Sequence, residues 1–202
     1  MSLWLADRPL LLASKSASRR LLLQGAGIPI EVLAADIDER AIEAKAGVGD
    51  PGAVAALLAR AKAVAVSVQQ PGRLVLGADQ TLALGQRRFS KPADRAAARD
   101  QLKILRGQTH ALHSAVAIVR DGRPRFEHCA VARLTMRAFS DKFLESYLDA
   151  AGEAVTASVG AYQVESVGVQ LFERIEGEHS TILGLPLLPV LDALRREGTL
   201  SG

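Results

Sequence analysis

Apolar runs of strand length alternate with helix-length stretches along almost the whole chain, and this alternation restricts the fold more than any other feature. Leu10 to Ala13 is short and wholly apolar, which reads as a buried strand. The polar segment Ser14 to Arg20 follows, and Leu21-Leu22-Leu23 continue as a helix ended by Gly25-Ala26-Gly27. Pro29 to Leu33 reads as a second strand and Asp36 to Arg40 as an acidic turn. Ala53 to Val68 carries helical periodicity, with Val54, Leu57, Leu58, Ala61, Ala65 and Val68 on one face. Pro71-Gly72 breaks it. Arg73 to Leu84 is strand-like, with a polar interruption at Asp79-Gln80. Pro92 is predicted to open a helix, at a favoured first-turn position, that runs to about Leu105 and stops at Gly107. His110 to Arg120 and Arg123 to Arg137 are predicted to pair around Asp121-Gly122, a hairpin signal. Asp141 to Ala150 reads as a helix and Gly168 to Arg174 as a strand, with Gly177 as the next turn. Pro186 begins a last helix whose buried stripe is Leu187, Val190, Leu191 and Leu194. The expected architecture is α/β or α+β with a mixed sheet, one domain over residues 1–202 with at most two lobes.

Bulk properties narrow the function. A chain of 202 residues buries a sizeable core without staples. With 49% hydrophobic and 23% charged residues, disorder is excluded. The formal charge of +3 is scattered, whereas a double-helix binder needs a dense basic stripe. A small anionic substrate fits this balance, and a nucleic-acid polymer does not. The single cysteine, Cys129, rules out an internal disulfide, and no zinc-type Cys/His spacing exists. Asp7 and Arg8 interrupt the N-terminal apolar run, and no apolar stretch nears the roughly 20 residues of a membrane helix. The expected setting is therefore the cytoplasm, away from the membrane.

Chemistry-bearing residues fall at strand ends. Ser14-Lys15-Ser16-Ala17-Ser18-Arg19-Arg20 joins a buried strand to a helix start, where free amides and the macrodipole favour anions. Ser16 is the expected N-cap. Arg19 and Arg20 then lie in the first turn, where a bound polyphosphate would offset their unfavourable charge. Read without a ligand, the same segment is a Ser-capped surface helix with solvated arginines. Asp79 ends the apolar run Leu74-Val75-Leu76, the position at which ligand sites open in α/β sheets. Asp36, Asp38 and Glu39 add carboxylates that, with Asp79, could hold magnesium or manganese. Lys62 flanks the apolar helix face, and Lys91 precedes Pro92; both suit phosphate neutralisation. No phosphate loop of the Gly-x4-Gly-Lys type, dinucleotide fingerprint, nucleophile elbow or His-Glu-x-x-His is present. His110 and His113 are three apart on a strand and point to opposite faces, so they do not form a metal pair.

In order along the chain, the stretches Leu12 to Arg20, Asp38-Glu39, Ala61-Lys62-Ala63, Gly77 to Gln80, Lys91-Pro92, Leu105 to His110, Gly160-Ala161-Tyr162 and Ile182 to Leu187 resemble the Maf family of nucleotide pyrophosphatases. The resemblance spans nearly the whole chain. It implies a mixed sheet bent around a central cleft with flanking helices, similar to inosine triphosphatases, and often a homodimer. It implies that Asp79 is the catalytic carboxylate, Glu39 its acidic companion, Lys62 and Lys91 the active-site lysines, and Ser14, Ser16, Arg19 and Arg20 the phosphate-gripping segment. A divalent cation on Glu39 and Asp79, magnesium or manganese, is implied as well.

Within the family, three positions side with a 7-methyl-GTP branch against a dTTP and UTP branch: Ser18, an extra residue before the arginine pair, Gln80 after Asp79, and Glu165 three after Tyr162. Two positions depart from that branch. Ala17 stands where Pro is usual, and Ser18 where Tyr is frequent and could stack on a base. The expected reaction is water attack on the α-phosphorus of a nucleoside triphosphate. Asp79 either orients and deprotonates the water or shares a metal with Glu39. Two rival readings remain at this stage: a dTTP/UTP-type enzyme, and a nucleotide-binding cell-division regulator with little turnover.

Overall fold

The computed structural model describes residues 3–202. In chain order the elements are β1 (Leu10–Leu12), α1 (Ala17–Gly25), β2 (Ile30–Val32), α2 (Glu39–Ala46), α3 (Pro51–Ser67), β3 (Val75–Leu84), β4 (Arg87–Phe89), α4 (Arg95–Leu105), β5 (Thr109–Arg120), β6 (Arg123–Met136), α5 (Asp141–Ala151), β7 (Phe172–Glu176), α6 (His179–Ile182) and α7 (Leu187–Arg196), with 3-10 turns at Gly152–Thr156 and Val167–Leu171. The strands hydrogen-bond in the order β2-β1-β3-β5-β6-β7, with β4 on β3. β1 is parallel to β2 and β3, whereas β4 and β7 are antiparallel to their neighbours. The fold is thus α/β with a mixed sheet, as expected. The chain divides into two compact units, 1–80 with 114–130 and 179–202, and 81–113 with 131–178.

In the first unit, strand alternation sorts the core into two faces. Leu10, Leu12, Leu74, Leu76, Val116 and Ile118 face Leu23 of α1 and Val190, Ala193 and Leu194 of α7. Leu11, Ala13, Val75, Ala117 and Val119 face Ala63 and Val66 of α3. Strands covered on both faces read as continuous apolar runs, which is why Leu10 to Ala13 shows no alternation. α3 differs from its expected face: Val54, Ala55, Leu58, Ala59, Ala63 and Val66 are buried, while Val68 is exposed. The reason is close packing at Gly77, where a Cβ would run into the Ala59 carbonyl and come within 2.9 Å of the Ala63 Cβ. Only the alanine side of the helix can approach a strand so closely.

In the second unit, α4 begins at Arg95, not at Pro92, because the Asp94 carboxylate caps the Ala97 amide at 2.8 Å. The strand expected over Gly168 to Arg174 is a 3-10 turn followed by β7. Tyr162, buried, hydrogen-bonds His110 at 2.7 Å and packs edge-on against Phe172 at 4.8 Å. The Tyr147 hydroxyl donates to the carbonyl of Ala161, a non-glycine residue held at φ +60. The turn between β5 and β6, which belongs to the first unit, lies at Asp121 (φ 52) and Gly122 (φ 72), both left-handed as a two-residue turn of this kind requires.

Candidate active site

Asp79 lies in β3 on the α3 side, two residues after Gly77, and the tight contact at Gly77 brings the Ala59–Ala63 turn of α3 alongside it. Lys62 occupies that turn. Its ammonium sits 2.6 Å from Asp79 Oδ1 and 2.9 Å from Glu39 Oε1, so one cation bridges two carboxylates. Lys62 and Asp79 are largely buried, with side chains 14% and 13% exposed, and Glu39 is 45% exposed. Glu39 reaches the pair from the first residue of α2, a helix where the acidic run Asp36 to Arg40 predicts a turn. The Asp38 carboxylate caps this helix on the Ala41 amide at 3.0 Å, and Gly47, left-handed at φ 62, ends it.

Burial pushes the Asp79 carboxyl above its ordinary value; Lys62, by charge and hydrogen bond, and Arg19, by charge, oppose this, while Glu39 adds to it. A carboxylate raised in this way is a stronger base than a solvated one, yet it stays next to a cation that favours its ionised form.

The arginine pair divides. Arg19 is buried. Its Nη1 donates to Ser14 Oγ at 3.0 Å and to the Ala78 carbonyl at 2.8 Å, and its Nε to the Gly184 carbonyl at 2.8 Å. Burial lowers its pKa, while the charges of Asp79 and Glu39 oppose the shift. Arg20 is exposed on α1. Ser16 caps α1 as expected, accepting from the Arg19 amide at 3.4 Å, and Ser14 is buried at the end of β1. Ser18 is half-buried.

Ser14, Arg19, Glu39, Lys62 and Asp79 are thus brought together in the first unit. Gln80 belongs to the same unit but faces away from Lys62: its amide nitrogen donates to Ser114 Oγ at 2.8 Å and to the carbonyls of Thr181 and Ile182 at 3.2 and 3.0 Å. Lys91 and Glu165 belong to the second unit, where both are exposed, Lys91 ahead of the buried Pro92 and Glu165 in the turn after Tyr162. Ser114, Thr181 and Gly184 were not singled out from the sequence. The motif Ile182-Leu183-Gly184-Leu185-Pro186-Leu187 was the available signal for the last of them.

An α/β protein with carboxylates, a lysine and a Ser-Arg segment gathered where β1 ends and β3 runs on past it defines a class built to handle anionic substrates. The particular family follows from comparison. The description "Maf-like protein" matches residues 9–197, and the chain belongs to the Maf family. A nucleoside triphosphate pyrophosphatase of Rhodopseudomonas palustris is 57% identical over 201 residues, covering all of both chains. A 7-methyl-GTP pyrophosphatase of Rhizobium etli is 52% identical over 196 residues, 96% of this chain and 98% of that one. The solved structure of a HAM1 protein from Coxiella burnetii overlaps 65% of this chain and 74% of that one, with a TM-score of 0.45 and 17% identity.

Among the described residues, no helix is long and apolar enough to cross a membrane. The exposed Cys129 is a free thiol.

Proposed function

We propose that this protein is a nucleoside triphosphate pyrophosphatase that acts on a 7-methyl-GTP-like nucleotide, releasing the monophosphate and pyrophosphate. The observation that carries the reading is the Lys62 ammonium held between Asp79, midway along β3, and Glu39, beside the Ser14–Arg20 segment. A protein that only binds triphosphate has no use for two carboxylates there, since they repel phosphate. A hydrolase needs a base and a means of charge neutralisation in the same place.

In this reading Asp79 takes a proton from water as the water oxygen bonds to the α-phosphorus. The bond from the α-phosphorus to the oxygen bridging to the β-phosphate breaks, and pyrophosphate leaves with that oxygen. Lys62 turns part of its charge to the phosphate oxygens, and exposed Arg20 meets the outer phosphates. Lys91 enters the reading by its motif alone.

Glu39 and Asp79 share one ammonium, so they are near enough to hold one cation in common. Among the described residues there is no group of three or more His, Cys, Asp or Glu able to bind a metal. Magnesium nevertheless takes as few as one or two carboxylates when phosphates and water complete its shell. The pair fits magnesium or manganese on those terms, and such an ion would neutralise charge on the phosphates.

For the base, the reading rests on Glu165, with Ser18 and Gln80 as marks of the branch, and on the likeness to the Rhizobium etli protein. A 7-methylated guanine is cationic and offers N1 and the exocyclic amine as donors, which a carboxylate accepts. Uracil and thymine would present carbonyl oxygens to the same carboxylate and leave it unpaired.

The test is pyrophosphate release from 7-methyl-GTP, GTP, UTP and dTTP, with magnesium, with manganese and with a chelator. The expected result is metal-dependent release, fastest from 7-methyl-GTP. No release from any nucleotide would overturn the enzyme reading, and preference for UTP or dTTP would overturn the branch.

A further inference from the structure

Asp79 and Gln80 are neighbours in β3, and the pleat sends their side chains to opposite faces. Asp79 meets α3. Gln80 meets the segment Thr181–Gly184, where α6 ends. One amide group there serves two carbonyls, those of Thr181 and Ile182, together with Ser114 Oγ. Ser114, fully buried in β5, donates its own hydroxyl to the Thr181 carbonyl at 2.7 Å. Two residues after Ile182, the Gly184 carbonyl takes the Arg19 Nε proton, and the same guanidinium holds the Ala78 carbonyl. Gly184 is left-handed at φ 89, and a Cβ there would press to 3.3 Å on the guanidinium. The carbonyl just before Asp79 and the side chain just after it are therefore both tied to one four-residue segment. A single helical turn such as α6 has almost no stability of its own, so side-chain bonds of this kind decide its conformation.

We propose that Gln80 and Ser114 are positioning residues: they clamp the Thr181–Gly184 segment to β3 and β5 and, through Gly184 and Arg19, fix the backbone that carries Asp79. The proposal rests on the pyrophosphatase reading and gives Gln80 a part in turnover instead of in contacting the base. Neither residue touches Lys62 or Glu39, so their loss disturbs the aim of Asp79 without removing any group that binds phosphate. That predicts a fall in kcat shared by all nucleotides.

The experiment compares Gln80→Ala, Ser114→Ala and the double variant with the wild type, using 7-methyl-GTP and UTP, melting temperature, and hydrogen exchange at residues 183–185. Those amides bond to His179, Thr181 and Ser180 carbonyls within the segment and report on it directly. Each single variant is expected to lower kcat about 10-fold, as a misaimed base would, with KM changing less than about 3-fold and the nucleotide ratio unchanged. The double variant is expected to be little worse than the poorer single one, because both side chains act through one segment. Exchange at 183–185 should quicken by about 10-fold in all three. Wild-type exchange rates in either single variant would overturn the clamp. So would a Gln80→Ala variant whose nucleotide ratio moves by about 10-fold while Ser114→Ala leaves it alone, the mark of a base reader. If the wild type releases pyrophosphate from no nucleotide, the pyrophosphatase reading fails by itself and the exchange rates still decide the clamp.

Discussion

His110 is buried in a site that has no place for a second proton. Its ring is 1% exposed, Nε2 lies 2.7 Å from the Tyr162 hydroxyl, and Nδ1 is buried with no partner. Protonation would put a charge in this apolar site and an N–H on Nδ1 with nothing to accept it. Burial accordingly pushes its pKa from the ordinary 6.5 down to about 4. Unfolded, the ring takes a proton near pH 6.5; folded, it stays neutral until about pH 4. Stability from this group is full above pH 6.5, is lost as pH falls through the window, and changes no further below about 4. A gap of about 2.5 pH units corresponds to about 3 kcal/mol. His110→Gln keeps a hydrogen-bond partner for Tyr162 and removes the titration. Unfolding by urea, followed by pulsed hydrogen exchange on peptides holding residues 105–113 and 158–172, would be run from pH 7.5 to 4 on both proteins. The wild type is expected to lose about 3 kcal/mol more than the variant across that range. Parallel pH curves would refute the argument and mean that His110 takes up its proton at the same pH folded as unfolded.

Four further outcomes are expected. Asp79→Asn should lower kcat at least ~100-fold. Its raised folded pKa means that the wild type loses stability as pH climbs above the ordinary 3.8, so the variant's melting temperature should match the wild type near pH 3.8 and exceed it at pH 7. Arg20→Ala should leave melting unchanged and weaken triphosphate binding by ~1.5–3 kcal/mol, measured by calorimetry. Arg19→Ala should instead cost several kcal/mol of stability in denaturant titration, since three acceptors lose a charged donor, on the order of 1.5–3 kcal/mol each. Gly77→Ala should destabilise by ~1–3 kcal/mol through overpacking and should also cut kcat, because α3 must shift and take Lys62 with it; full activity would show that the close approach does not set the Lys62–Asp79 distance.

Much of the fold was legible because strong local signals and tertiary packing agree. The hairpin at Asp121-Gly122 and the buried strand at Leu10 to Ala13 are examples. Misreadings came where two signals competed. Pro92 and Asp94 both announce a helix start, and the side-chain cap on Ala97 prevails. The acidic run Asp36 to Arg40 suggests a turn, but Asp38, Glu39, Lys45 and Gly47 make a complete set of helix-end signals over Glu39–Ala46, and these prevail. The pairing of His110 with Tyr162 had no local trace, because the two are 52 residues apart in sequence.

At the site, residue types were legible and their division of labour was not, although periodicity held the means to find it. Arg19 and Arg20 are adjacent, so about 100° of helix separates them. Leu23, four residues after Arg19, is the buried anchor of α1, and side chains four apart share a face. Arg19 must therefore point inward with Leu23 and bond to the scaffold, while Arg20 points out. The same reasoning applies on β3 with a period of two. Val75, Gly77 and Asp79 share the α3 face, and Leu76, Ala78 and Gln80 the other. Gln80 and Asp79, although consecutive, therefore lie on opposite faces of the pleat and meet different elements. In both pairs one residue carries an exposed or ion-paired charge and the other is bonded into the scaffold, so adjacency in the motif joins two side chains with opposite surroundings.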